Sequence, residues 1–183
     1  MCLGWIGDGL NNLLNAVARL LSPQLEDSAA LYTGSLVILM MREFPAQLSG
    51  IIQPLIAALV ARLATASMPM LITSLLLVFA RLALMGVPQF VTLLAGGTVD
   101  VKGEQQNSLE FVIRTWTQWQ SDVQGSYQIK VTCSAIAELL LSGDSRILPI
   151  PVRGKIITPD DGKIRTRSRA KKAPEQYTTV TAA

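Results

Sequence analysis

Apolar residues dominate the stretch from Phe44 to Gly86 and repeat there with a helical step. They fall at Leu48, Ile51, Ile52, Leu55, Ile56, Leu59, Val60 and Leu63, then resume at Leu71, Ile72, Leu75, Leu76, Phe79, Leu82 and Ala83. Steps of three and four mark one face of a helix. Ala66-Ser67-Met68-Pro69 interrupts the period. A proline pushes the residue before it out of helical geometry and itself suits a first helical turn. The pattern predicts two antiparallel helices, near 48–66 and 69–85, joined by a tight turn. Pro54 either kinks the first helix or marks a later start.

The same period extends to both sides. Leu10, Leu13, Leu14, Val17, Leu20 and Leu21 predict a helix over 8–21, opened by Asp8 and closed by Ser22-Pro23. Glu26-Asp27-Ser28 suits the positive end of a second helix running to Arg42, with Gly34 lowering its propensity. Pro88 opens a short helix, VPQFVTLLA, that Gly96-Gly97 closes. A polar loop follows over 98–107, with a small strand at 98–101. Leu109, Val112, Ile113 and Trp116 predict a helix from Ser108, and a last one spans 127–142. Trp116, Trp119 and Cys133 read as core residues. Beyond Pro149 the helical period is gone.

Helices beginning near Asp27, Pro69 and Ser108 are spaced by about forty residues, the period of HEAT and armadillo repeats. They are expected to form one layer, with the helices at 48–66, 88–95 and 127–142 as their partners. A compact helical bundle is the plainer alternative. The prediction is an all-α fold: an α-solenoid of about three HEAT-type helical hairpins over 1–149, followed by a flexible, disordered basic tail over 150–183.

A membrane protein is the rival reading. The charge-free runs 44–61, 63–80 and 82–99 are each about long enough to span a bilayer. Yet only Arg62 or Arg81 separates neighbours, and one residue cannot reverse a helix. Splitting the chain at its turns instead places each arginine inside a span, at a cost of about 2.5–3.5 kcal/mol apiece. Helices stacked in water meet both constraints, with each arginine stem along apolar surface and its head in solvent. A small integral membrane helical protein therefore stands as the alternative, and no membrane insertion is expected.

Composition removes most chemistry. The 183 residues include no histidine, so the usual general base and the Ser/His and Cys/His pairs are excluded. Cys2 and Cys133 form neither a metal motif nor a disulfide framework. Gly96-Gly97 is a helix stop rather than a phosphate cradle, and Asp160-Asp161-Gly162 a turn rather than a calcium loop. No enzyme, cofactor, metal or small-molecule substrate is expected. Hydrophobic content of 50% and mean hydropathy of +0.38 suit helices buried on more than one side.

Charge is unevenly placed. Residues 1–152 hold eight basic and ten acidic residues, and residues 153–183 eight basic and three acidic. Most of the excess sits in KIRTRSRAKK: Lys163, Arg165, Arg167, Arg169, Lys171 and Lys172. These six are candidate contacts for an acidic partner, with a nuclear localisation signal or nucleic-acid contact as related readings. A solvated loop without a partner is the bland alternative. No aromatic residue is interleaved, so base stacking is poorly supported.

Four stretches carry a resemblance: DGLNNLLNAVARLLSPQLEDSAALYTGSLV (8–37), LLLVFARL (75–82), SYQIKVTCSAIAELLLS (126–142) and GKIRTRSRAKKAPEQY (162–177). Together they resemble the C-terminal portion of importin-9-type receptors, plant-type members above all, within the importin-β (karyopherin) superfamily. The resemblance covers roughly Gly7 to Tyr177. It implies a HEAT-repeat superhelix that moves between cytoplasm and nucleus and carries protein cargo, including histones and other basic proteins, under control of the Ran GTPase. It implies no catalysis. The chain is far shorter than such receptors. It lacks their N-terminal Ran-contacting repeats and their acidic cargo loop, and so reads as a partial gene model or truncated product.

Overall fold

The computed structural model describes residues 3–156 and 177–180. Helices α1 (Leu3–Leu20), α2 (Thr33–Glu43), α3 (Pro45–Leu48), α4 (Ile52–Thr65), α5 (Pro69–Met85) and α6 (Val87–Ala95) come first. A hairpin of β1 (Thr98–Val101) and β2 (Glu104–Asn107) leads into α7 (Ser108–Trp119) and α8 (Ser126–Leu141). Strand β3 (Val152–Ile156) pairs antiparallel with β4 (Tyr177–Val180). The fold is all-α and solenoid-like, as expected. The two paired strands were not anticipated within 150–183; residues 157–176 and 181–183 of that stretch lie outside the described residues.

Helix α5 is the centre of the molecule. Every residue from Leu75 to Ala80 is buried, so α5 has no solvent face in its middle and must take neighbours on all sides. Each fully buried Leu or Phe there contributes about 1.5–3 kcal/mol. α5 packs most extensively against α2 and α8, which barely touch each other, and also against α4, α6 and α7. Leu31 and Tyr32 at the head of α2, Pro69 and Met70 at the head of α5, and Gln124 before α8 share one groove. At the other end, Met41 of α2 meets Leu82 and Met85 of α5. The three helices therefore run side by side in the same direction.

That arrangement corrects one expectation. The helix beginning at Ser108 was expected beside those at 27–42 and 69–85, with 127–142 in the partner layer. The structure places α8 there instead. The reason is the β1–β2 hairpin, which returns the chain to where it left. Asn107 donates its side-chain amide to the Ala95 carbonyl at 2.9 Å, while its Oδ1 accepts from Leu109 N at 3.0 Å. α7 thus restarts at the end of α6 and stays in the layer of α6. The hairpin turn, Lys102-Gly103, takes φ of 57° and 89°. A two-residue turn between twisted strands wants positive φ at both positions.

Three smaller points have local causes, and the first decides the Pro54 alternatives in favour of a later helix start. α4 starts at Ile52, so Pro54 falls in its first turn, where no N–H is needed, and it does not kink the helix. Cys133 is exposed rather than buried; the buried face of α8 is Val131, Thr132, Ala135 and Leu139. Gly34 has a packing role that propensity hid. A Cβ there would overlap the backbone carbonyl of Ser74 on α5. Gly34→Ala is expected to push α2 off α5 and cost about 1–3 kcal/mol. A urea titration would show a lower midpoint at unchanged slope; an unmoved midpoint would mean the helices do not touch there.

Candidate functional site

One ion pair among the described residues is largely buried. Arg62 of α4 is only 1% exposed. Its Nη2 donates to Asp27 Oδ1 at 2.8 Å and to the Leu25 carbonyl at 2.9 Å. Asp27 Oδ2 in turn accepts from Ser67 N at 2.7 Å, Met68 N at 2.8 Å and Ser67 Oγ at 3.0 Å. Met68 is the residue that precedes α5. The carboxylate therefore caps α5, not the helix that follows it in sequence, where the acidic cluster had been placed. A charge at that position satisfies free N–H groups and meets the positive end of the helix dipole.

The pair fixes the loop before α2, the last turn of α4 and the head of α5 as one unit. It also overturns the expectation that Arg62 keeps its head in solvent. Burial acts to raise the Asp27 carboxyl; hydrogen bonds from Ser67 and Met68 and the Arg62 charge outweigh it and hold it below the ordinary 3.8. Arg81 is half-buried on α5, closer to the expected arrangement.

A second polar relay holds α7 to α8. Trp116 Nε1 donates to Gln120 Oε1 at 2.9 Å, and Gln120 Nε2 donates to Thr132 Oγ1 at 2.9 Å. Trp116 is 1% exposed and Trp119 packs partly buried against the core. Both are packing residues, as expected of the pair.

Two grooves lie at opposite ends of the α2–α5 pair. The first, about 460 Å³, is lined by Met41, Pro45, Leu48, Ile52, Leu82, Met85, Phe90 and Leu93, with Ser49, Gly86 and Gln89. The second, about 340 Å³, holds Leu31, Tyr32, Met70 and Leu77 among Ser35, Thr73, Ser74, Asp122, Gln124 and Gln128. Met85, Met70 and Tyr32 stand 71%, 67% and 83% exposed on their rims. Exposed Tyr and Met beside an apolar floor are what a protein-binding surface uses. Sequence reasoning missed all three. Met70 sits one residue before the apolar stripe of α5 and Met85 two residues after it, the only signal that marked them.

The six basic residues singled out from the sequence, Lys163, Arg165, Arg167, Arg169, Lys171 and Lys172, lie outside the described residues, as does Asp160-Asp161. Gly96 ends α6, as expected of a helix stop. Among the described residues there is no cluster of metal-ligating side chains, and no helix is long and apolar enough to cross a membrane. What the arrangement offers is grooves and helix faces.

Comparison with known proteins agrees in kind. The family model for importin-11-like TPR repeats matches residues 7–149. Importin subunit beta-5 of Saccharomyces cerevisiae is 29% identical over 93% of this chain, and Drosophila melanogaster importin-9 is 29% identical over 90%. Importin subunit beta-5 of Schizosaccharomyces pombe is 26% identical over 94%. The chain spans 17%, 16% and 17% of those relatives' own lengths.

Proposed function

Since the chain belongs to the importin (karyopherin) family, with importin-11-like repeats across most of its length, we propose that it is a binding segment of a nuclear transport receptor. It serves as a non-catalytic scaffold on which protein cargo is held, in the cytoplasm and the nucleus, with Ran GTPase governing release. The family match over 7–149 is the observation that carries this reading. The geometry supports it: one layer of parallel helices with grooves at both ends. Residues 1–152 carry a small acidic excess, which favours histones and other basic proteins as cargo through electrostatic steering. The basic residues from Lys163 to Lys172 would repel such cargo and are proposed to contact an acidic partner instead. We divide the chain accordingly into a repeat array over 1–149 and a basic segment over 150–183.

Immobilised protein, incubated with a core-histone dimer and then with Ran loaded with GTP or GDP, tests this. Histone retention followed by GTP-dependent release is expected. Equal retention with both nucleotides would remove Ran from the account, and absence of retention would remove the cargo.

A further inference from the structure

The outward face of α8 has a symmetry of its own. The helix carries two charges, Lys130 and Glu138, opposite in sign and placed four residues to either side of Ser134. Eight residues apart, they share a face but lie about 12 Å apart along the axis, too far to pair with each other. Neither forms an ion pair among the described residues. Tyr127 and Leu141 stand seven residues to either side of Ser134 on the same face, 54% and 81% exposed. Lys130, Ser134, Ala137 and Glu138 are exposed between them. The positions 127, 130, 134, 137 and 141 advance by three and four in alternation, the spacing of a seam between two helices.

We infer that this face of α8 pairs antiparallel with the same face of a second copy of this chain, about a two-fold axis at Ser134. Turned end for end, the second copy sets its Glu138 against Lys130 and its Leu141 against Tyr127, and each contact occurs twice. Ser134 meets itself at the axis, where a small side chain lets the helices approach. A copy laid parallel would set lysine on lysine and glutamate on glutamate. Exposed ion pairs add little affinity; these select the direction by penalising the parallel arrangement. The apolar ends supply the attraction by covering each other. One helix pair is a small interface, so the dimer belongs to the weak, transient class. An unrelated partner need not match the symmetry of this face, whereas a second copy matches it by construction. The inference does not depend on transport: it holds or fails whether or not Ran affects the protein.

Sedimentation velocity of the full chain over a concentration series reads the association, and a monomer–dimer equilibrium is expected. Lys130→Glu should weaken it about tenfold, a change of about 1.4 kcal/mol. The swap Lys130→Glu/Glu138→Lys should restore it. Lys130→Glu mixed with Glu138→Lys should form a mixed dimer more tightly than either variant pairs with itself. All these positions are exposed, so thermal midpoints should stay at that of the unaltered chain. Oxidation reads the axis. In a Cys2→Ser/Cys133→Ser background, Ser134→Cys should give a disulfide-linked dimer. Tyr127→Cys should not, because antiparallel pairing holds its two copies about 21 Å apart. A monomer at every concentration, a charge swap that fails to restore association, or linked dimers of Tyr127→Cys in place of Ser134→Cys would each overturn the inference. Dimers indifferent to all these substitutions would overturn it as well, by placing the contact on another face.

Discussion

Asp27→Ala is expected to destabilise the protein by about 3–5 kcal/mol, the cost of leaving a buried charge without its partner. Two losses combine. Arg62, at 1% exposure, keeps only the Leu25 carbonyl and a long contact to Thr65 Oγ1. Ser67 N and Met68 N at the head of α5 lose their acceptor. Arg62→Met should cost less. The Asp27 carboxylate would retain its three donors from Ser67 and Met68 and can reach water, its side chain being 13% exposed. The double variant should fall short of the summed single effects, because both act on one network. Urea midpoints of the four proteins decide this; strictly additive losses would show that Asp27 and Arg62 do not work together.

The same pair makes stability depend on acid. The folded protein holds the Asp27 carboxyl below its ordinary 3.8, so the unfolded chain binds the proton more readily. The stabilisation is therefore complete above 3.8 and is lost as pH falls through the folded value. The Asp27→Ala variant should show a shallower loss over that window.

Trp116→Ala carries the other large effect, about 3–5 kcal/mol for a fully buried ring. Its ring is packed in the core next to Ile113 and Leu139. Removing it also strands Gln120 between α7 and α8. Trp116→Phe keeps most of the volume and should recover the greater part of the loss, the remainder reporting the hydrogen bond to Gln120. If phenylalanine performs no better than alanine in thermal melts, the relay rather than the packing holds α7 to α8.

Helices were legible wherever a single apolar stripe met a proline or glycine. Pro69 and Gly86 bracket α5, and Pro88 and Gly96 bracket α6, at nearly the positions expected. What the sequence hid was set by contacts between distant residues. Asp27 reads as the head of its own helix and instead caps another, because α5, entered through Ser67-Met68, has no capping side chain of its own. Gly34 reads as a weak helix residue and is a point of close helix approach. Arg62 and Arg81 look alike in the pattern; only the fold sets Asp27 against Arg62. The layer order failed for a related reason: a spacing of about forty residues counts chain length and cannot see a hairpin that returns the chain to its starting point. Of the candidate surface, the apolar floors were visible as core pattern. Their rims, Tyr32, Met70 and Met85, became visible only once helix ends were in place.

The fold stands on α2, α5 and α8 forming one parallel layer. Cysteine pairs introduced into a Cys2→Ser/Cys133→Ser background test this with a short bifunctional thiol reagent. Met70→Cys with Gln124→Cys, both on the second groove, should cross-link efficiently, and Met70→Cys with Leu141→Cys at the far end of α8 should not. The reverse outcome would mean that α8 runs against α5 or lies elsewhere, and the shared layer with its grooves would be wrong.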